Sequence, residues 1–190
     1  MKDNLKIILG SKSPRRRELL TQMGYKFATE QIEIDETIES FESVKDYVSQ
    51  IAKRKGRIIS KKHPDDLVIC ADTIVALGET IFEKPKDKED ARRMIRGLAG
   101  RSHDVFTAVF LKLGDTEKTF VVRTRVEIDN MTEAEIEAYV STDEPYDKAG
   151  AYAIQGKFGK YIKGIHGDYY NVMGLPICKL HREIEKLLDE

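Results

Sequence analysis

The sequence predicts an α/β fold built on a mixed β-sheet, and three observations predict it. Apolar runs of strand length alternate with segments of helical period, the order expected of β–α units. Those segments are bracketed by helix-start and helix-stop residues. A two-armed segment turning at Gly114-Asp115 reads as a hairpin, which adds an antiparallel pair to the sheet.

The elements follow in order. Residues 5–9 form a short apolar strand, punctuated by Gly10-Ser11-Lys12-Ser13-Pro14. Residues 15–24 read as a helix with Leu19, Leu20 and Met23 turned inward, Ser13 as N-cap and Pro14 at the first helical position. A second helix spans roughly 43–60, and a third about 87–98 with Gly97 and Gly100 near its end. Between them residues 67–71 are a buried strand, with Asp72-Thr73 at its carboxyl end. Ile81 and Phe82 make a short strand end. Strands over 105–113 and 120–128 form the hairpin, and Phe120, Val122, Thr124, Val126 and Ile128 share one face of the second arm. Thr132-x-x-Glu135 is a capping box opening a short helix. A glycine-rich stretch runs from 147 to 174, and a closing helix starts at Pro176, presenting Ile177, Leu180, Ile184, Leu187 and Leu188.

The 190 residues carry 32 Lys+Arg against 33 Asp+Glu, a net charge of −1, with 41% apolar and 34% charged side chains. A chain this long buries about 70% of its unfolded surface and needs no staples; a single domain over 1–190 is expected. The balanced charge argues against disorder, and against a chain whose task is to grip a nucleic-acid backbone. No apolar run approaches the ~18 residues of a bilayer span, and the first nine residues are too charged for a signal peptide. A cytoplasmic protein with no membrane or nucleic-acid partner is expected. Cys70 and Cys178 lie in apolar segments and read as reduced core residues. His63, His103, His166 and His181 lack zinc-site spacing and read as structural or surface residues.

Five places carry chemistry. Ser11-Lys12-Ser13-Pro14-Arg15-Arg16-Arg17 joins a strand to a helix start, where backbone N–H groups, hydroxyls and guanidiniums attract anions. Cations in a first helical turn oppose the dipole, so three arginines there point to a bound phosphate, against the alternative of a solvated, capped helix start. Lys55 falls on the apolar stripe of the second helix, made up of Val44, Tyr47, Val48, Ile51, Ile58 and Ile59, at about 20° when Val44 is set to zero, while Lys53, Arg54 and Arg57 point elsewhere. It either snorkels out or ends in a polar cavity. Asp72 and Thr73 follow a buried strand, where α/β proteins bind ligands, and Asp72 is suited to hold a metal or orient a water. Lys84, in Glu83-Lys84-Pro85, is a weaker candidate. Gln155, in Asp147-Lys148-Ala149-Gly150-Ala151-Tyr152-Ala153-Ile154-Gln155-Gly156, offers both donor and acceptor to an amide-like edge. Basic groups, acidic groups and small loops together suit a phosphate ester or anhydride with a metal ion.

These segments resemble the Maf-like nucleotide pyrophosphatases, within the inosine-triphosphate-pyrophosphatase-like fold superfamily. The resemblance rests on Ser11-x-Ser13-Pro14-Arg15-Arg16-x-Glu18-Leu19-Leu20, Ile34-Asp35-Glu36, Ala52-x-x-Lys55, Ala71-Asp72-Thr73, Lys84-Pro85, Thr107-Ala108-Val109, the 147–156 segment and Asn171-Val172-x-Gly174-Leu175-Pro176. It implies an elongated mixed sheet with flanking helices and two lobes around a cleft. It implies hydrolysis of a nucleoside triphosphate to monophosphate and pyrophosphate, as house-cleaning of nucleotide pools linked to arrest of cell division. By this resemblance Asp72 is the proton acceptor, Ser11, Arg16, Lys55 and Lys84 line the phosphates, and Asp72 and Glu36 hold a divalent metal, Mg²⁺ or Mn²⁺. Arg15, Thr73 and Gln155 match the branch acting on dTTP and UTP, which extends to modified pyrimidine nucleotides. A homodimer is admitted as an assembly. Gly10 and Gly56 stand where the family usually has Ala, which implies local loosening of the backbone without an effect on chemistry. The rival reading, a nucleotide sensor, would need no base at position 72.

Overall fold

Ile7, Ile8 and Leu9 have no exposed face, and the computed structural model, which describes residues 5–189, shows why. They form β1 (Ile7–Gly10), which is flanked by parallel neighbours on both edges. β2 (Ala28–Glu30) pairs through Ile8↔Ala28 to Gly10↔Glu30. β3 (Leu67–Leu77) pairs through Ile7↔Leu67 to Gly10↔Cys70. α1 (Pro14–Gln22) links β1 to β2, and α2 (Val44–Ser60) carries the chain back to β3. The path leaves β1 first to one side and then to the other. The carboxyl end of β1, beside β3, is therefore a topological switch point, the usual place for a ligand in such sheets.

β4 (Thr80–Phe82) folds back antiparallel on β3 with Val75 opposite Phe82. Then come α3 (Lys88–Leu98), β5 (Ser102–Leu113), β6 (Thr116–Ile128) and α4 (Glu133–Val140). Three short 3-10 turns (Pro145–Asp147, Ala149–Ala151 and Lys157–Tyr161) precede β7 (Ile162–His166), α5 (Tyr169–Met173) and α6 (Ile177–Asp189). The sheet is seven-stranded and mixed, in the order β2-β1-β3-β5-β6-β7 with β4 on β3; β7 runs antiparallel to β6. The helix starts are those the sequence signals. Ser13, Ser43 and Asp87 each accept a backbone N–H from the third residue on, and Thr132 and Glu135 complete their box. Removing such a cap costs about 0.5–2 kcal/mol.

The chain divides into two compact units. The first comprises residues 1–72, 107–122 and 174–190. Its core joins β1 and the start of β3 to Leu19, Leu20, Val48, Ile51, Ile59, Phe110, Leu180 and Ile184. The second comprises residues 73–106 and 123–173. Its core gathers Val75, Phe82, Met94, Ile95, Leu98, Val126, Ile128, Tyr139, Tyr152 and Phe158. The hairpin face holds, since Phe120, Thr124, Val126 and Ile128 are buried.

Several expectations need correction. Asp72 does not end its strand; β3 continues through Ile74-Val75-Ala76-Leu77, β-branched and apolar, to a left-handed Gly78. Asp72 instead lies two residues past Cys70, the last position paired with β1. Cys178 is exposed, because α6 buries Leu180, Glu183, Ile184 and Leu187 on the other side. Ile58, placed on the inner stripe of α2, is 40% exposed. The helix turns Ala52, Gly56 and Ser60 inward, and these small residues shift the buried arc away from Ile58. Gly10 and Gly56 are not loosening substitutions. A Cβ on Gly56 would lie 2.0 Å from the Phe110 ring, and one on Gly10 would lie 2.3 Å from Cys70 Sγ. Their missing methyls are filled space.

Candidate active site

The first unit brings Ser11, Arg16, Glu36, Lys55 and Asp72 together at the β1–β3 switch point. Ser11 directly follows β1 and is 8% exposed. Its Oγ accepts the Ser13 N–H at 3.1 Å and Arg16 Nη1 at 3.4 Å. Arg16, on the first turn of α1, also donates from Nε to the Gly174 carbonyl at 2.8 Å. Burial pulls its pKa below the ordinary value, with Asp72 opposing; a guanidinium stays charged nonetheless. The Arg-rich helix start is thus a built corner, with one arginine turned inward and Arg17 left exposed. Arg15 is half-buried beside it.

Lys55 resolves the choice left open by its helical position. Its ammonium donates to Asp72 Oδ1 and meets Glu36 Oε1, both at 2.7 Å, with the Lys55 and Asp72 side chains 16% and 13% exposed and Glu36 52%. Burial works to lower the Lys55 pKa, but the two carboxylates outweigh it, and the net shift is upward. Burial raises the Asp72 pKa above the ordinary carboxylate value, with Lys55 and Arg16 opposing. Behind the cluster, burial pushes the Cys70 thiol up to about 12, which leaves it protonated and unreactive.

Among the described residues no group of three or more His, Cys, Asp or Glu side chains is placed to hold a metal ion by itself. Asp72 and Glu36 nonetheless suit Mg²⁺ or Mn²⁺. Such ions are held through one or two carboxylates, with water and substrate phosphates completing the shell.

The second unit carries Thr73, Lys84 and Gln155. Thr73 follows Asp72 on β3, while Lys84 and Gln155 are exposed on loops. Those two loops are tied together, because the Gly150 N–H donates to the Glu83 carbonyl at 3.0 Å. Gly150 has φ of 69° and a Cβ there would lie 2.9 Å from Val75, so position 150 favours glycine on both counts, while Ala151 follows it at φ 62°. Tyr152 shares a 2.7 Å hydrogen bond with the buried His103, whose pKa burial lowers to about 4; the imidazole is neutral. Sequence reasoning passed over the Gly174 carbonyl as a partner of Arg16. Its signal was the glycine in Asn171-x-x-Gly174, which adopts φ 106°.

The sequence profile described as Maf-like protein matches residues 6–187. The dTTP/UTP pyrophosphatase of Myxococcus xanthus is 45% identical over 175 residues, covering 92% of this chain and 89% of the relative. The protein of the same name from Bacillus anthracis is 44% identical over 181 residues, covering 95% of both. Among solved structures, the Staphylococcus aureus Ham1 protein aligns over 95% of this chain and 98% of its own, with a TM-score of 0.54 at 14% identity, a likeness of fold.

Proposed function

This chain belongs to the Maf-like protein family, and on that premise we propose that it hydrolyses dTTP and UTP to the monophosphate and pyrophosphate, clearing unwanted and modified pyrimidine nucleotides from the pool. The observation that carries the reading is the buried Lys55 ammonium set 2.7 Å from both Asp72 and Glu36, at a switch point lined by Ser11 and Arg16.

In this reading Asp72 takes a proton from water as the oxygen attacks the α-phosphorus. The bond to the α–β bridging oxygen breaks and pyrophosphate leaves. Burial suits Asp72 to the task, since a raised pKa makes a better proton acceptor. Lys55 has three donors, of which two hold the carboxylates; the third serves a phosphate oxygen. Ser11 and Arg16 supply further donors to the same chain of phosphates, and Lys84 adds a point charge. A divalent ion held by Asp72 and Glu36 would neutralise charge on the triphosphate. Arg15, Thr73 and Gln155 read the base. Uracil and thymine present two carbonyl acceptors around one N–H donor, an edge that glutamine's carbonyl and amide can both meet.

We read the two units as parts of one domain over 1–190, because β3, β5 and β6 each contribute residues to both. A cytoplasmic enzyme fits the substrate, and no helix of the described residues is long and apolar enough to cross a membrane.

The deciding experiment is a panel of dTTP, UTP, CTP, ATP and GTP with products resolved. Monophosphate plus pyrophosphate, with UTP and dTTP leading CTP by on the order of 10²-fold, is expected from two mismatched polar groups. Gln155→Ala should narrow the UTP-to-CTP gap rather than lower all rates alike. Equal kcat/KM for UTP and GTP refutes the pyrimidine reading, and diphosphate plus phosphate as products refutes the site of cleavage.

A further inference from the structure

Glu144 lies outside the residues given a role above, yet its carboxylate holds the chain just after Gln155. Oε2 accepts the Lys157 N–H at 2.7 Å, while Oε1 accepts the Phe158 N–H and the Tyr139 hydroxyl, each at 3.1 Å. A Cβ on Gly156 would lie 2.4 Å from Oε2, so the carboxylate packs flat against the backbone where residue 156 has no side chain. Gly156 has φ 164°, extended backbone open to any residue; what forbids a side chain there is Glu144 itself. Tyr139 is buried, and burial together with Glu144 raises its pKa, so the hydroxyl remains a donor.

The other end of the same loop is fixed as well, since Tyr152 is bonded to His103 at 2.7 Å and its ring lies 5.0 Å from Phe158. Gln155 itself is exposed. An exposed glutamine reads one base edge only if its backbone is held, because a free loop loses discrimination to its own conformational entropy.

We propose that Glu144 is a positioning residue for base selection: its carboxylate gathers two backbone N–H groups and a phenol to fix the Gly156 turn, and so sets where Gln155 presents its amide. The proposal rests on the pyrimidine reading above. The negative charge matters as well as the shape, since both carboxylate oxygens accept and a charge-assisted acceptor is about twice as strong as a neutral one. In Glu144→Gln the amide must turn an NH₂ toward a donor, and one of the three bonds is lost.

The test is steady-state kinetics on UTP and CTP for the full-length parent, Glu144→Gln, Glu144→Asp and Tyr139→Phe, with thermal unfolding of each. Glu144→Gln should lower the UTP-over-CTP ratio of kcat/KM by about tenfold, the scale of one mispaired polar group. The change should enter through KM for UTP, with kcat within about threefold, since Asp72 and Lys55 belong to the other unit. Tyr139→Phe, which leaves the core filled, should lower the ratio by a smaller factor, and Glu144→Asp should recover part of it. If Glu144→Gln does not fold, Tyr139→Phe decides: an unchanged ratio overturns the proposal. A folded Glu144→Gln with the parent's ratio overturns it too, as does an equal fall of kcat on both substrates. A parent that shows no UTP preference overturns the base reading, and this proposal with it; a selective parent with equally selective variants overturns this proposal alone.

Discussion

Replacing Lys55 with methionine keeps the stem and deletes the charge that holds Asp72 and Glu36. Glu36 is 52% exposed, so water covers most of its loss. Asp72, 13% exposed, is left as a buried ion with Arg16 still favouring its charge and Glu36 opposing it. Breaking a buried pair in this way costs about 3–5 kcal/mol. The loss has a ceiling, because Asp72 can escape it by taking a proton. For a carboxyl with an unfolded pKa near 3.9 that escape costs about 4 kcal/mol at pH 7 and about 1.5 kcal/mol at pH 5. The sign follows from the raised folded pKa: the penalty is absent below the unfolded pKa and grows as pH rises toward the folded one. Lys55→Met should therefore cost about 2–4 kcal/mol at pH 7 and under about 1.5 kcal/mol at pH 5. At about 2–4 °C per kcal/mol, Tm should fall by about 5–15 °C at pH 7 and by under about 5 °C at pH 5. Paired thermal scans of parent and variant at both pH values read this directly. An equal loss at pH 5 and pH 7, or none at pH 7, would show that Lys55 does not hold Asp72 ionised. Turnover should fall with either result, since the phosphate loses its donor.

Asp72→Asn is nearly isosteric and should keep the fold while lowering kcat on the order of 10²–10⁴, the usual worth of a general base; a folded variant within about threefold of the parent removes Asp72 from that role. Because burial raises the Asp72 pKa, kcat/KM should fall with falling pH along a limb above the ordinary carboxylate value near 3.9. Excess chelator should abolish turnover, and added Mg²⁺ or Mn²⁺ should restore it; full rates in chelator exclude a metal requirement. Gly56→Ala should cost about 1–3 kcal/mol by overpacking against Phe110, and Phe110→Leu in that background should regain part of it. A neutral Gly56→Ala in thermal scans contradicts the close contact.

The parts of the site that follow local rules were legible. Ser13, Pro14 and the switch from strand to helix marked the corner where Ser11 and Arg16 meet, and the helical angle of Lys55 singled it out from Lys53, Arg54 and Arg57. Glu36 was not legible from pattern, because it sits on a segment with no regular period and reaches Lys55 only through tertiary folding. The extent of β3 was misjudged at Asp72-Thr73, where two polar residues interrupt an apolar run that the sheet carries on to Leu77. Ile58 misled for the opposite reason: counting large apolar residues ignored Ala52, Gly56 and Ser60, whose small size lets α2 approach Phe110. Neither close approach nor a long-range ion pair leaves a periodic trace in the chain.

The division between the units falls at Asp72 and Thr73, Phe106 and Thr107, Val122 and Arg123, and Met173 and Gly174. Neither unit is a continuous stretch of chain, and no single crossover between two genes could exchange one while keeping the other. If Thr73 and Gln155 in the second unit contribute to base selection while Asp72 and Lys55 in the first carry hydrolysis, a lineage cannot acquire a new substrate by swapping a cassette. It must alter residues such as Thr73 and Gln155 one at a time, within a polypeptide that has to fold at every step. The interleaving therefore ties the evolution of substrate preference in this protein to small substitutions, and a laboratory library that shuffles segments should perform worse than one that varies single codons.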